Sequence, residues 1–92
     1  MLGHWTEQGV RSIPDSPRRL DAARTAIEEM GGSLTSFLMT MGEYDFILQV
    51  EAPDDAVAAR FALMLARMGN VRTRTLKAFP EPAFRQIVGT LG

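Results

Sequence analysis

An α+β fold, with a four-stranded antiparallel sheet and two helices on one side of it, is predicted by three features of the 92-residue sequence. Two stretches repeat apolar residues every three to four positions and stop at glycine. Segments of alternating apolar and polar residues stand before, between and after them. Two of those segments adjoin, joined only by a short turn containing Gly42, so they form a hairpin.

The first strand is confined to Leu2–Thr6, and Gly9 and Pro14 break any regular period in the loop Glu7–Asp15 that follows. Ser16 is placed to cap the first helix, with Pro17 at the first helical position, where a missing N–H costs nothing. Leu20, Ala23, Ile27 and Met30 form its buried stripe, while Arg24 and Glu28 pair on the outside. Gly31-Gly32 ends it, since glycine enters the left-handed cap conformation without a Cβ penalty.

The hairpin strands are Ser33–Met41 and Asp45–Glu51. In the second, Phe46, Leu48 and Val50 share one face, suited to a core under helices, while Asp45, Ile47, Gln49 and Glu51 share the other. Pro53-Asp54-Asp55 opens the second helix with carboxylates at the positive end of its dipole. Val57, Phe61, Met64 and Met68 are its stripe, widened by Leu65, and Gly69-Asn70 stops it. Val71–Phe79 is the fourth strand, closed by Pro80. A short last helix, about Glu81–Val88, is expected to dock Phe84, Ile87 and Val88.

The order β-α-β-β-α-β with an added C-terminal helix is the split βαβ, ferredoxin-like pattern, contained in one domain spanning residues 1–92. Both crossover helices then fall on one side of the sheet. The other face is left bare, carrying Trp5 or its neighbours, Ile47, alternate residues of Ser33–Met41 and one set from Val71–Phe79. That mixture is too apolar to stay wet, and packing it on a second copy about a two-fold axis covers it.

Composition narrows the function classes. Cysteine is absent, which removes disulfides, thiolate metal sites and cysteine nucleophiles together. A formal net charge of -1, with nine of the ten cations being arginines scattered among acids, gives no field for nucleic acid. No segment approaches the roughly 20 apolar residues that span a bilayer, so no membrane partner is expected and the cytoplasm is the expected location. A domain this small buries only roughly 60–70% of its unfolded surface, and with disulfides excluded, oligomerisation is the stabilising device left.

Several motifs together resemble the GYD domain family, small stand-alone proteins of the dimeric α+β barrel type. They are Trp5-Thr6-Glu7-Gln8-Gly9 with Arg11, Ser16-Pro17 with Arg19, Gly32, Gly42-Glu43-Tyr44-Asp45, Glu51-Ala52-Pro53, and Gly69-Asn70-Val71-Arg72-Thr73. The matches run through nearly the whole chain. The resemblance implies the fold and a homo-oligomer of at least two copies, and it implies no reaction. One departure is that only four residues precede Trp5, where the family has several more. Strand one is central in this topology, so a stub leaves neighbouring backbone groups unpaired, and we expect either a start upstream of Met1 or another segment to complete the ladder.

The compact group of chemically able side chains is the turn Thr40–Phe46. Tyr44 and Asp45 suit proton donation and acceptance, although turn carboxylates more often accept backbone N–H bonds or pair with arginine. His4 is the sole histidine; one histidine makes no multi-histidine metal site, and an exposed or satisfied imidazole is the plainer account of it. Trp5 beside Thr6, with Gln49, Thr73 and Thr75 on neighbouring strands, suits a small-ligand pocket between sheet and partner, or an ordinary subunit interface. The six methionines fall mostly on stripes expected to be buried. Arg72 and Arg74 share a sheet face, either as an anion contact or paired with Asp45 or Glu51. No metal or cofactor is expected. The expected role is a small-molecule binding or accessory module with Trp5, Tyr44, Asp45 and Gln49 as ligand contacts. The alternatives are a cofactor-free enzyme moving a proton through Asp45 or His4, and a purely structural assembly protein.

Overall fold

The computed structural model describes residues 1–92. Its elements are β1 (Leu2–Trp5), α1 (Glu7–Arg11), a 3-10 turn (Ile13–Asp15), α2 (Ser16–Glu29), β2 (Ser33–Met39), β3 (Phe46–Glu51), α3 (Asp55–Arg67), β4 (Val71–Arg74) and α4 (Glu81–Gly89). The four strands make one antiparallel sheet in the order β2-β3-β1-β4. This is the ferredoxin-like topology, with β1 and β3 central.

The two long helices form for the reasons written in the chain. Asp54 caps α3 by accepting a hydrogen bond from Val57 N–H at 2.8 Å. Gly31 and Gly69 take φ +90° and +83° just past the ends of α2 and α3, a conformation that a Cβ would strain. Ala23 and Ile27 of α2 and Phe61 and Leu65 of α3 meet Leu34, Phe46 and Leu48 of the sheet in one core. Ile27 and Phe61 are fully buried. The cap of α2 is Asp15 rather than Ser16, and Arg24 pairs with Asp21 instead of Glu28.

Four expectations are corrected. Glu7–Arg11 is a helix, not a loop, because Thr6 caps it by accepting from Gly9 N–H at 3.1 Å. Gly9 is there for a close approach: a Cβ at that position would lie 2.1 Å from the Asn70 carbonyl oxygen. The fourth strand stops at Arg74 rather than Phe79, with Leu2↔Arg74 the last pairing of its ladder with β1. The last helix forms, but Phe84, Ile87 and Val88 are exposed and dock on nothing in their own chain. Met39, Met41 and Met68 are likewise exposed.

β1 pairs with β3 over a short length. Leu2 faces Ile47, Gly3 faces Phe46, and Leu48 N–H donates to Met1 O at 2.8 Å. The Met1 amine donates to Leu48 O at 2.6 Å, and burial lowers its pKa from the ordinary value. The outer half of β3 runs past β1 and pairs only with β2.

Candidate functional site

Side-chain alternation sorts the sheet into two faces. Gly3, Trp5, Phe46, Leu48 and Val71 point toward the helices, where Trp5 and Phe46 sit with ring centroids 5.5 Å apart. Leu2, His4, Ile47, Gln49, Arg72 and Arg74 point to the bare face by the same alternation and pairing. In β2 a register shift between Leu34 and Ser36 resets the parity. Ser36 and Leu38 therefore join the bare face, and Phe37 and Met39 join the helix side.

The end of the sheet where β1 meets the turn before β3 gathers three of the candidate residues. The His4 and Tyr44 rings stack with centroids 5.0 Å apart. The Asp45 carboxylate lies 3.7 Å from His4 Nδ1 and accepts the Trp5 backbone N–H at 3.0 Å. Asp45 also donates its own N–H to Gly3 O at 2.9 Å and accepts from Thr40 N–H at 2.8 Å through its carbonyl. The backbone and carboxylate of Asp45 thus tie the chain entering β3 to β1 and to Thr40 just after β2. The His4 and Asp45 side chains are 45% and 40% exposed, so solvent reaches the pair.

Trp5 joins this cluster through its backbone only, because its ring lies on the other side of the sheet. Gln49 stands four residues along β3 from Asp45, about 13 Å at the rise of a strand, and accepts from Ser36 Oγ at 3.0 Å. The structure therefore brings His4, Tyr44 and Asp45 together and sets Trp5 and Gln49 on opposite faces. Thr73, opposite Gly3, shares the helix side with Trp5. Arg72 and Arg74 are on the bare face opposite His4 and Leu2, exposed and in no ion pair. No group of three or more His, Asp or Glu side chains converges anywhere.

A second feature lies on the helix side. α2 and α3 leave between them a groove of about 420 Å³, floored by Phe37, Phe46 and Leu48 and walled by Leu20, Ala22 and Ala26 of α2 and by Met64 of α3 with Met68 just past its end. Trp5 lines it, and Arg19 and Asn70 stand at its polar rim. Arg19 donates to Ser12 O at 3.1 Å and to Gly9 O at 3.4 Å. Thr6 donates through its hydroxyl to Gly69 O at 2.6 Å, and Gln8 donates to Asn70 Oδ1 at 3.1 Å. The segments Thr6–Gly9 and Gly69–Asn70, far apart in sequence, so form one hydrogen-bonded buttress beside the groove. Sequence reasoning missed this assembly; Thr6 followed by Glu7 is a helix-start signal that, taken with Gly9, pointed to it.

A four-stranded antiparallel sheet in ferredoxin-like order, with its long helices on one side and an apolar groove between them, defines an α+β domain. The chain belongs to the GYD domain family, whose model matches residues 1–88. It is 35% identical over 81 residues to the glutamine synthetase and cystathionine beta-lyase binding protein of Thermus thermophilus, covering 87% of this chain and 85% of that one. No solved structure matches the chain significantly.

Proposed function

We propose that this chain is a cytoplasmic accessory module that binds other proteins, metabolic enzymes of the glutamine synthetase and cystathionine beta-lyase kind among them, and works as a homo-oligomer. The observation that carries the reading is the amount of apolar side chain with no partner in its own chain: Leu38, Met39, Leu76, Phe79, Phe84, Ile87 and Leu91 are all exposed. Patches of this kind mark protein interfaces. The similarity over 81 residues to a relative named for binding two enzymes supports the same role. Sedimentation of the purified chain with glutamine synthetase from its own organism tests it. A co-sedimenting complex is the expected result, and separate boundaries at tens of micromolar for that enzyme and for cystathionine beta-lyase would overturn it.

A second reading, favoured by the 3.7 Å approach of His4 to Asp45 under the stacked Tyr44 ring, is a small-molecule site on the bare sheet face. There His4, Tyr44 and Asp45 contact a ligand or move a proton, and Gln49 contributes from further along β3. Trp5 enters that site through its backbone link to Asp45. Titration of candidate metabolites against the Asp45→Asn variant, read by melting temperature, separates this from protein binding: a ligand-dependent rise lost in the variant supports it.

A further inference from the structure

The groove between α2 and α3 carries one charge and no counter-charge. Arg19 is the sole charged residue that lines it, and no aspartate or glutamate does. Arg19 is half-buried and lies within ion-pair distance of no carboxylate, whereas Arg24, the other half-buried arginine, pairs with Asp21 at 3.4 Å. Asp15, one helical turn before Arg19, is paired with Arg18 at 2.7 Å. A guanidinium taken partly out of water with no counter-ion is costly, so this one is suited to an anion from outside the chain.

The hydrogen bonds of Arg19 fix how that anion is met. Nη1 donates to Ser12 O at 3.1 Å and to Ser12 Oγ at 3.0 Å, and Nη2 donates to Gly9 O at 3.4 Å, all of them neutral acceptors. Nε and the second Nη2 hydrogen are left free, and paired N–H groups of one guanidinium match the two oxygens of a carboxylate. Ser16 and Pro17 line the groove where α2 begins without a side-chain cap, and the positive end of the helix dipole adds to the attraction. Away from this end the walls are apolar. Ala26 lies about 10 Å along α2 from Arg19 at the helical rise, Ala22 and Ala26 leave room beside the helix, and Met64 adapts to the shape of what enters. A volume of about 420 Å³ falls in the range of small-ligand pockets.

We infer that the groove binds a small apolar carboxylic acid in its ionised form, with its head on Arg19 and its tail along Ala22, Ala26, Leu48 and Met64. A single cation favours a monoanion, since a phosphate dianion would stay half uncompensated and a neutral molecule would leave the guanidinium as it is. The site lies on the opposite side of the sheet from His4, Tyr44 and Asp45, and the inference is independent of which enzyme the module binds.

Octanoate and 1-octanol share a tail and differ in charge, so the two together test this on the full chain near neutral pH. Trp5 is the sole tryptophan and lines the groove; its emission reports filling, and isothermal titration calorimetry gives the affinities. We expect a blue shift with both, with octanoate binding about tenfold tighter, and none with acetate, which has the head without the tail. Arg19→Gln keeps a donor for Ser12 and removes the charge, and should lower octanoate to the affinity of octanol while leaving octanol unchanged. Ala22→Phe, at an exposed position on the wall, should abolish both, with far-ultraviolet circular dichroism checking that the chain stays folded. Equal affinities for the two probes in the natural chain would overturn recognition of the head by Arg19. Loss of octanol binding together with octanoate binding in Arg19→Gln would overturn it too, because Arg19 would then only shape the groove. No emission shift with octanoate, or binding undiminished in Ala22→Phe, would overturn the site itself.

Discussion

Replacing Asp45 decides whether the turn is an anchor or a reaction site. Its carboxylate accepts the Trp5 N–H at 3.0 Å and stands 3.7 Å from His4 Nδ1. A hydrogen bond to a charged group contributes about 1.5–3 kcal/mol when its loss leaves the partner unsatisfied. Here the carboxylate is 40% exposed, so water replaces part of the bond, and the 3.7 Å approach to a half-exposed imidazole adds little. Asp45→Ala should therefore cost about 1–2 kcal/mol, which lowers the melting temperature by roughly 4–15 °C for a domain of this length. Asp45→Asn keeps a carbonyl oxygen within reach of Trp5 N–H and should lose less than half as much. The assay is thermal denaturation followed by circular dichroism at one fixed protein concentration, since any assembly makes the midpoint depend on it. Equal losses in the two variants would refute the anchoring argument, because they would show that the charge beside His4, and not the acceptor at Trp5, is what the fold or a bound ligand requires.

Three further outcomes are expected. Gly3→Ala places a Cβ 2.2 Å from the Phe46 ring, and because Phe46 is buried in the core the strain should cost about 1–3 kcal/mol or more, read as a lower urea midpoint. Phe61→Ala empties a fully buried position and should destabilise by about 3–5 kcal/mol, enough to leave a detectable unfolded fraction in the amide spectrum at 25 °C. Asp54→Ala removes the acceptor for Val57 N–H and should cost about 1 kcal/mol, with hydrogen exchange accelerated first in the opening turn of α3.

The periodicity of the two long helices and their stops, the hairpin at Gly42, and the βαββαβ order were legible because they depend on contacts within a few residues, whereas the short helix Glu7–Arg11 was not. Leu20, Ala23 and Ile27, or Val57, Phe61 and Leu65, declare their inward face by spacing alone, and the βαββαβ order then leaves few ways to arrange the sheet. The clustering of His4 with Tyr44 and Asp45 was only half visible. Tyr44 and Asp45 are neighbours in sequence, whereas His4 reaches them through the pairing of Gly3 with Phe46.

The chain by itself determined the two long helices, the hairpin, the sheet order and the absence of thiol chemistry, since each follows from local spacing or composition. The tertiary structure decided the rest. Trp5 turns to the helix side because Gly3 must face Phe46. Gly9 sits inside a helix because only a residue without a Cβ lets the Asn70 carbonyl come so close. Phe37 and Met39 reach the groove through a shift in β2 that strict alternation does not foresee. β4 ends at Arg74, where its pairing with β1 ends. These outcomes depend on which distant backbone lies alongside, and a side chain's period does not encode its neighbour across the sheet.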